Sequence, residues 1–246
     1  MSEHLHFAEH TLQEVALAIM ALVYTTRLIW LFRHKGGKER QPKTGRPGTT
    51  RPKGILYSWF IIAMPWEMES TRRKVFLYSQ FVLFHLAVTA SIALSFLIPY
   101  WPHLLEINFM VPAVQALVAC GFVVGVMRFV RRVGNKYMRA ISSPDDYFSL
   151  LLLTVWFAFA FFAAPNRPQE GETILLVYFY LTAFFLIYVP FSKISHYLYY
   201  PFTRYWLGKS LGHRGTYPVV HGKKPAKYPA HKIVERKSTA TAGGRA

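Results

Sequence analysis

Five apolar stretches, each close to the length a helix needs to cross a bilayer, leave this chain few folds. They cover roughly residues 12–32, 75–98, 109–127, 147–164 and 174–191, against the roughly 17–25 residues that span the hydrocarbon core. A closed barrel is the other backbone solution in lipid, but it needs short strands of alternating polarity, and these runs are long and continuous. The expected fold is an all-α membrane protein, a five-transmembrane-helix bundle.

The basic residues divide sharply between the loops. Of 29 Lys and Arg, only Arg167 lies among the segments before span one, between spans two and three, or between spans four and five. The other 28 flank the remaining segments: Arg27 and Arg33 at the end of span one, ten in 34–74, five from Arg128 to Asp146 and eleven after Ser192. The positive-inside rule then sets the N-terminus outside and the C-terminus in the cytoplasm, which requires an odd number of spans. The net charge of +17 follows this topology and anionic-lipid contact, so nucleic acid is not an expected partner. MSEHLHFAEH has no basic n-region, so a cleavable signal peptide is not expected. The single cysteine, Cys120, excludes a disulfide framework, a thiol-ligated cluster or a Cys-based zinc site within the chain.

Between the spans, HKGGKERQPKTGRPGTTRPKG reads as an irregular connector. Ile55 to Trp66 is apolar and aromatic but too short to span. It is expected to lie at the interface, with Tyr57, Trp59 and Trp66 at headgroup level, the alternative being a docking surface for a peripheral subunit. Ser142, Ser143, Asp145 and Asp146 read as the cap of span four. The tail after Phe202 reads as extended, and His213, His221 and His231 are too far apart for a helical metal pair.

Of ten histidines, only His85 and His196 fall within the apolar segments, His196 at the far end of the fifth. His85 follows Lys74 by eleven residues, about 16 Å of helix, so both lie toward the cytoplasmic half. Two neutral imidazoles on separate spans at similar depth are what a bis-His b-type haem needs, and two axial His make an electron-transfer centre. The plainer alternative puts His196 at the interface and gives His85 a hydrogen bond to a neighbouring helix. Arg27 and Lys193 are expected to snorkel to the headgroups, or else to meet a haem propionate. An independent hydrolase or transferase is not expected: no nucleophile–base set, phosphate-cradling loop or carboxylate dyad is present.

Three segments carry a family resemblance: LFHLAVTASIALSFLIPYWPH (83–103), MRAISSPDDYFSLLLL (138–153) and VPFSKISHYLYYPFTRYW (189–206). In order and spacing the chain resembles the gamma subunit of respiratory nitrate reductase and its relatives, the five-helix b-type cytochromes, including membrane subunits of heterodisulfide-reductase-like complexes. The resemblance implies electron transfer between membrane quinone or quinol and a cytoplasmic iron–sulfur subunit, in a prokaryotic inner membrane. It matches His85 and His196 to the axial ligands of the haem nearer the cytoplasm. The family's other two ligands would fall at Ser95 and Tyr178, so one haem b is expected and the family's outer quinol site is in doubt. A replacement outer haem would have to draw on His103 and one of His4, His6 or His10.

On this reading the chain divides into an outer N-terminus with the first helix (1–33), a basic loop with the aromatic segment (34–74), a haem-binding four-helix core (75–196) and a basic tail (197–246). The rival readings are a haem-free anchor or assembly scaffold, and a small transporter. Transport is disfavoured because no inverted repeat or broken helix pair is visible and the spans offer little polarity besides His85 and Gln115.

Overall fold

Lipid offers a backbone no hydrogen-bond partner, so a chain this apolar satisfies its amides within helices. The computed structural model describes residues 2–34, 36–37, 40–43 and 45–220, and among these there is no strand. Its longer helices are α1 (Glu3–Arg33), α2 (Arg51–Phe60), α3 (Val75–Tyr100), α4 (Met110–Gly134), α5 (Pro144–Ala163), α6 (Thr173–Tyr188) and α7 (His196–Arg214). Five are long and apolar enough to cross a membrane: α1, α3, α4, α5, and α6 with the 3-10 turn that carries it to Phe191. The chain is a multi-pass membrane protein.

Helices α3, α4, α5 and α6 pack in sequence order, and α1 lies against α6. Lipid tails are as apolar as leucine, so helices associate in a bilayer through close packing and interhelical hydrogen bonds. Both occur here. A Cβ on Gly121 would come within 2.2 Å of the Ala87 Cβ, and one on Gly125 within 2.3 Å of Thr154 Oγ1, so α4 can nest between α3 and α5 only with glycine at both places. The Trp156 indole donates to Thr182 Oγ1 at 2.9 Å, Gln115 to the Phe161 carbonyl at 3.1 Å and Gln13 to the Phe179 carbonyl at 2.8 Å. These bonds cross α5–α6, α4–α5 and α1–α6 respectively.

Span one begins earlier than its hydropathy suggests. Ser2 caps the helix through Leu5 N–H, and a π-type stretch, Phe7–Thr11, carries Glu9 and Gln13 into burial beside α6. At that end Ser2 also donates to the Glu172 carboxylate through its amide, at 2.6 Å, and through its hydroxyl.

The larger departures are at the opposite, basic end. Residues 51–54, expected in an irregular connector, form the first turn of α2, capped by Thr50. The chain after Phe202, expected to be extended, continues helical to Arg214. His221 and His231 lie outside the described residues. Helix α7 contains Pro201, Gly208 and Gly212, which all weaken a helix in isolation. Its support is α2, against which it packs at backbone distance. A Cβ on Gly54 would meet the Gly208 carbonyl oxygen at 2.3 Å, and one on Gly208 the Ile55 Cα at 2.6 Å. Gly54 and Ser58 face Gly208 and Gly212, small residues one turn apart on each helix. Two side-chain bonds complete the clasp: Trp59 Nε1 to the Pro201 carbonyl at 2.9 Å, and Tyr200 hydroxyl to the Trp59 carbonyl at 3.1 Å. Gly215, with a positive φ of 82°, ends α7, and Thr216 N–H bonds back to Leu211 at 2.9 Å.

This packing gives the aromatic segment protein partners in addition. Tyr57 turns inward to bond Glu67 and to meet the Tyr217 ring edge-on, and Trp59 is engaged with α7; Trp66 is exposed.

Candidate functional site

His85 stands on the surface of α3, and Phe81 lies one turn before it. Its Nδ1 is 2.7 Å from the Phe81 carbonyl oxygen. His196 opens α7 rather than closing the fifth span, and its Nδ1 is 3.0 Å from the Lys193 carbonyl oxygen. A carbonyl can only accept, so each Nδ1 carries a proton, and in a neutral ring Nε2 is then the nitrogen with the lone pair. Both imidazoles are thus fixed in the tautomer of a metal ligand, with the backbone as orienting partner. Their ring centroids lie 6.4 Å apart with planes at 80°. Metal–imidazole bonds of about 2 Å put the centroids of two rings on opposite sides of one ion about 6 Å apart. The structure therefore brings together the two residues the sequence singles out, at a separation at which both could hold one haem iron. Both side chains are exposed, so the pair opens onto the flank of the bundle.

The placement of His196 depends on α5. Helix α6 gives way to the 3-10 turns Val189–Phe191 and Lys193–Ser195, the second capped by Ser192, whose hydroxyl accepts from Ile194 N–H at 3.1 Å. Asp145 reaches across to this loop, accepting from Lys193 N–H at 3.0 Å, from Ser149 at 3.3 Å and from the Tyr188 hydroxyl. Asp146 caps α5 as expected, accepting from Ser143 N–H at 2.7 Å, and also pairs with Lys193 Nζ at 2.7 Å. The two aspartates thus do more than cap: they fasten the loop from which His196 projects. Lys193, expected to snorkel, is bound in this network. The Tyr197 hydroxyl is 2.6 Å from that of Tyr24, tying the start of α7 to α1, and burial holds the Tyr197 phenol above its ordinary range.

Arg128 is a residue the sequence reading passed over as loop charge. Helix α4 runs on to Gly134, so Arg128 is half-buried within it, its Cζ 5.1 Å from the Phe84 ring, which is itself 6.4 Å from His85. A span boundary drawn where charge begins hides such a residue. Through Phe84 it stands in the neighbourhood of His85. Arg27 lies instead over Phe191, at 5.8 Å.

Ser95 and Tyr178, which stand where the family resemblance puts the other ligand pair, are core residues. Tyr178 is wholly buried, donates to the Ser91 carbonyl at 2.6 Å and stacks on Trp156 with planes 6° apart. Ser95 is buried and bonds back to Ile92 at 2.8 Å. Near the N-terminal end, His6 and His10 lie 4.8 Å apart and His10 meets Tyr100 edge-on at 5.4 Å, while His4 and His103 are exposed. Among the described residues no ring contact joins His103 to the others, and no group of three or more His, Cys, Asp and Glu is placed to hold a metal ion. Compared with family models, with curated proteins and with solved structures, the chain has no significant match in any of the three.

Proposed function

We propose that this chain is the membrane cytochrome b subunit of a respiratory oxidoreductase complex, binding one haem b through His85 and His196. The observation that carries the reading is the facing pair of imidazoles, each held by a backbone carbonyl through Nδ1 so that Nε2 is left to ligate. A bound haem would supply one-electron transfer. The chain's own part is to orient the two imidazoles, to fasten the His196 loop through Asp145 and Asp146, and to set the Arg128 guanidinium nearby. The buried Tyr178–Trp156 stack supports a single haem, since side chains fill the core where a second would need its ligands.

In this proposal the 28-to-1 division of basic residues supports a cytoplasmic position for the basic end, and the family resemblance implies a prokaryotic inner membrane. Electrons pass between membrane quinone or quinol and a cytoplasmic iron–sulfur protein docked at that end. The resemblance to the nitrate reductase gamma family and to heterodisulfide-reductase-like membrane subunits supports this division of labour.

A second reading, a haem-free anchor or assembly scaffold, is favoured by one observation. The two imidazoles are exposed at the flank, while α2 and α7 form a platform whose packing needs no cofactor. A dithionite-reduced minus oxidised spectrum with pyridine-haemochrome quantitation of the full chain separates the two. One haem b per chain, lost in both His85→Ala and His196→Ala, is the expected result. Absence of haem from well-folded protein overturns the cytochrome reading in favour of the anchor.

A further inference from the structure

The basic end holds a feature that the histidine pair does not use. A cleft of about 560 Å³ lies between the end of α1, α2 and α7, walled by Leu31, Phe32, Trp59, Phe202, Tyr205 and Trp206. Beside it a second cleft, of about 630 Å³, is lined by Arg51, Lys209, Ser210 and Arg214 with the backbone of Gly36 and Gly37. Gly36 and Trp206 belong to both. The Trp206 indole lies against Gly36 so closely that a Cβ there would sit 2.0 Å from the ring, so this one side chain forms the wall between the clefts. Lys209 Nζ is held above that wall, 4.8 Å from the Trp206 ring and 5.6 Å from the Tyr205 ring. Among the described residues no carboxylate lines either cleft.

The two clefts meet at Trp206 and at Gly36, three residues beyond the end of span one at Arg33, and the end of a spanning helix is where the hydrocarbon core gives way to headgroups. A ligand that fills both must be apolar on the membrane side and anionic, with several acceptor oxygens, on the other. Inorganic phosphate satisfies only the basic cleft, and an uncharged apolar ring only the aromatic one. A phosphodiester carrying acyl chains satisfies both, with Arg and Lys as charge-assisted donors to the phosphate and aromatic side chains along the glycerol and upper acyl region. We propose that this double cleft is a binding site for one anionic phospholipid, its phosphate among Arg51, Lys209 and Arg214 and its chains leaving past Phe32 and Phe202. The inference does not depend on haem binding.

The test uses the full chain in detergent, titrated with phosphatidylglycerol or with phosphatidylcholine of the same acyl chains, and read by native mass spectrometry. The expected result is one retained phosphatidylglycerol per chain, with binding about a hundredfold weaker in R51Q/K209Q/R214Q. A control, R72Q/R73Q/K136Q, removes equal charge from exposed positions outside the clefts and should leave retention unchanged; unaltered gel-filtration and circular-dichroism profiles show that both variants fold. Equal retention of phosphatidylcholine, or an equal loss in the control, overturns the site in favour of diffuse surface charge. Displacement by inorganic phosphate alone reassigns the basic cleft to free phosphate and overturns the phospholipid.

Discussion

His85 and Ser95 lie on the same helix, ten residues apart, in opposite surroundings. Around Ser95 the bundle is sealed: Tyr178 has no exposed surface, its hydroxyl is bonded across to α3, and its ring is stacked on Trp156. Around His85 the bundle is open: the imidazole is exposed, held by its own helix, and faces a second imidazole from a loop pinned by aspartates. The sealed half spends its side chains on cohesion. The open half spends its bonds on orienting two imidazoles 6.4 Å apart.

The largest expected effect that separates the halves is Tyr178→Ala. Emptying a packed aromatic site costs about 3 kcal/mol through lost contacts and the cavity left behind, whereas His85→Ala in the haem-free chain changes stability by less than about 0.5 kcal/mol. Reversible denaturation in mixed micelles measures both, and equal losses would break the comparison. Asp145→Ala comes next, at about 2 kcal/mol, since it strips a charged acceptor from three donors. Hydrogen exchange should show its effect confined to 189–197, with 173–183 still protected. Tyr178→Phe should cost about 1 kcal/mol, the net value of one buried hydrogen bond, with haem content unchanged.

The smallest effect is at the N-terminal end, on Glu172. The Ser2 hydroxyl and amide hold this carboxyl below the usual carboxylate range. Because the folded value is depressed, the tether is present above the ordinary carboxylate value and is lost as pH falls through the lower folded one. Protection of the amides at 3–6, taken relative to their intrinsic exchange rate at each pH, should therefore fall in acid. In Glu172→Gln that acid response should disappear; if it persists, Glu172 is not its source.

The spans were legible because bilayer thickness leaves a direct mark on hydropathy, and the capping role of Asp146 because Ser-x-x-Asp is a local signal. The start of α1 was not, since Glu9 and Gln13 look like interfacial polarity until α6 supplies their surroundings. Helix α7 was not legible for a similar reason. Pro201, Gly208 and Gly212 oppose helix formation locally, and only contact with α2, distant in sequence, explains why glycine serves there. At the site, the identity of the two histidines could be read, but not the bonds from Asp145 to Lys193 and Tyr188, which join residues more than forty apart.

The clasp between α2 and α7 also sets an order of events during synthesis. Residues 51–60 leave the ribosome before four of the five spans exist, and the glycine face they must meet, at 208 and 212, emerges after all of them. Until then Gly54 and Ser58 have no partner, and the basic end is unfinished however well the spans have inserted. Completion of that platform therefore reports that all five spans have been made, and a partner recognising it would dock only on chains extended past Arg214.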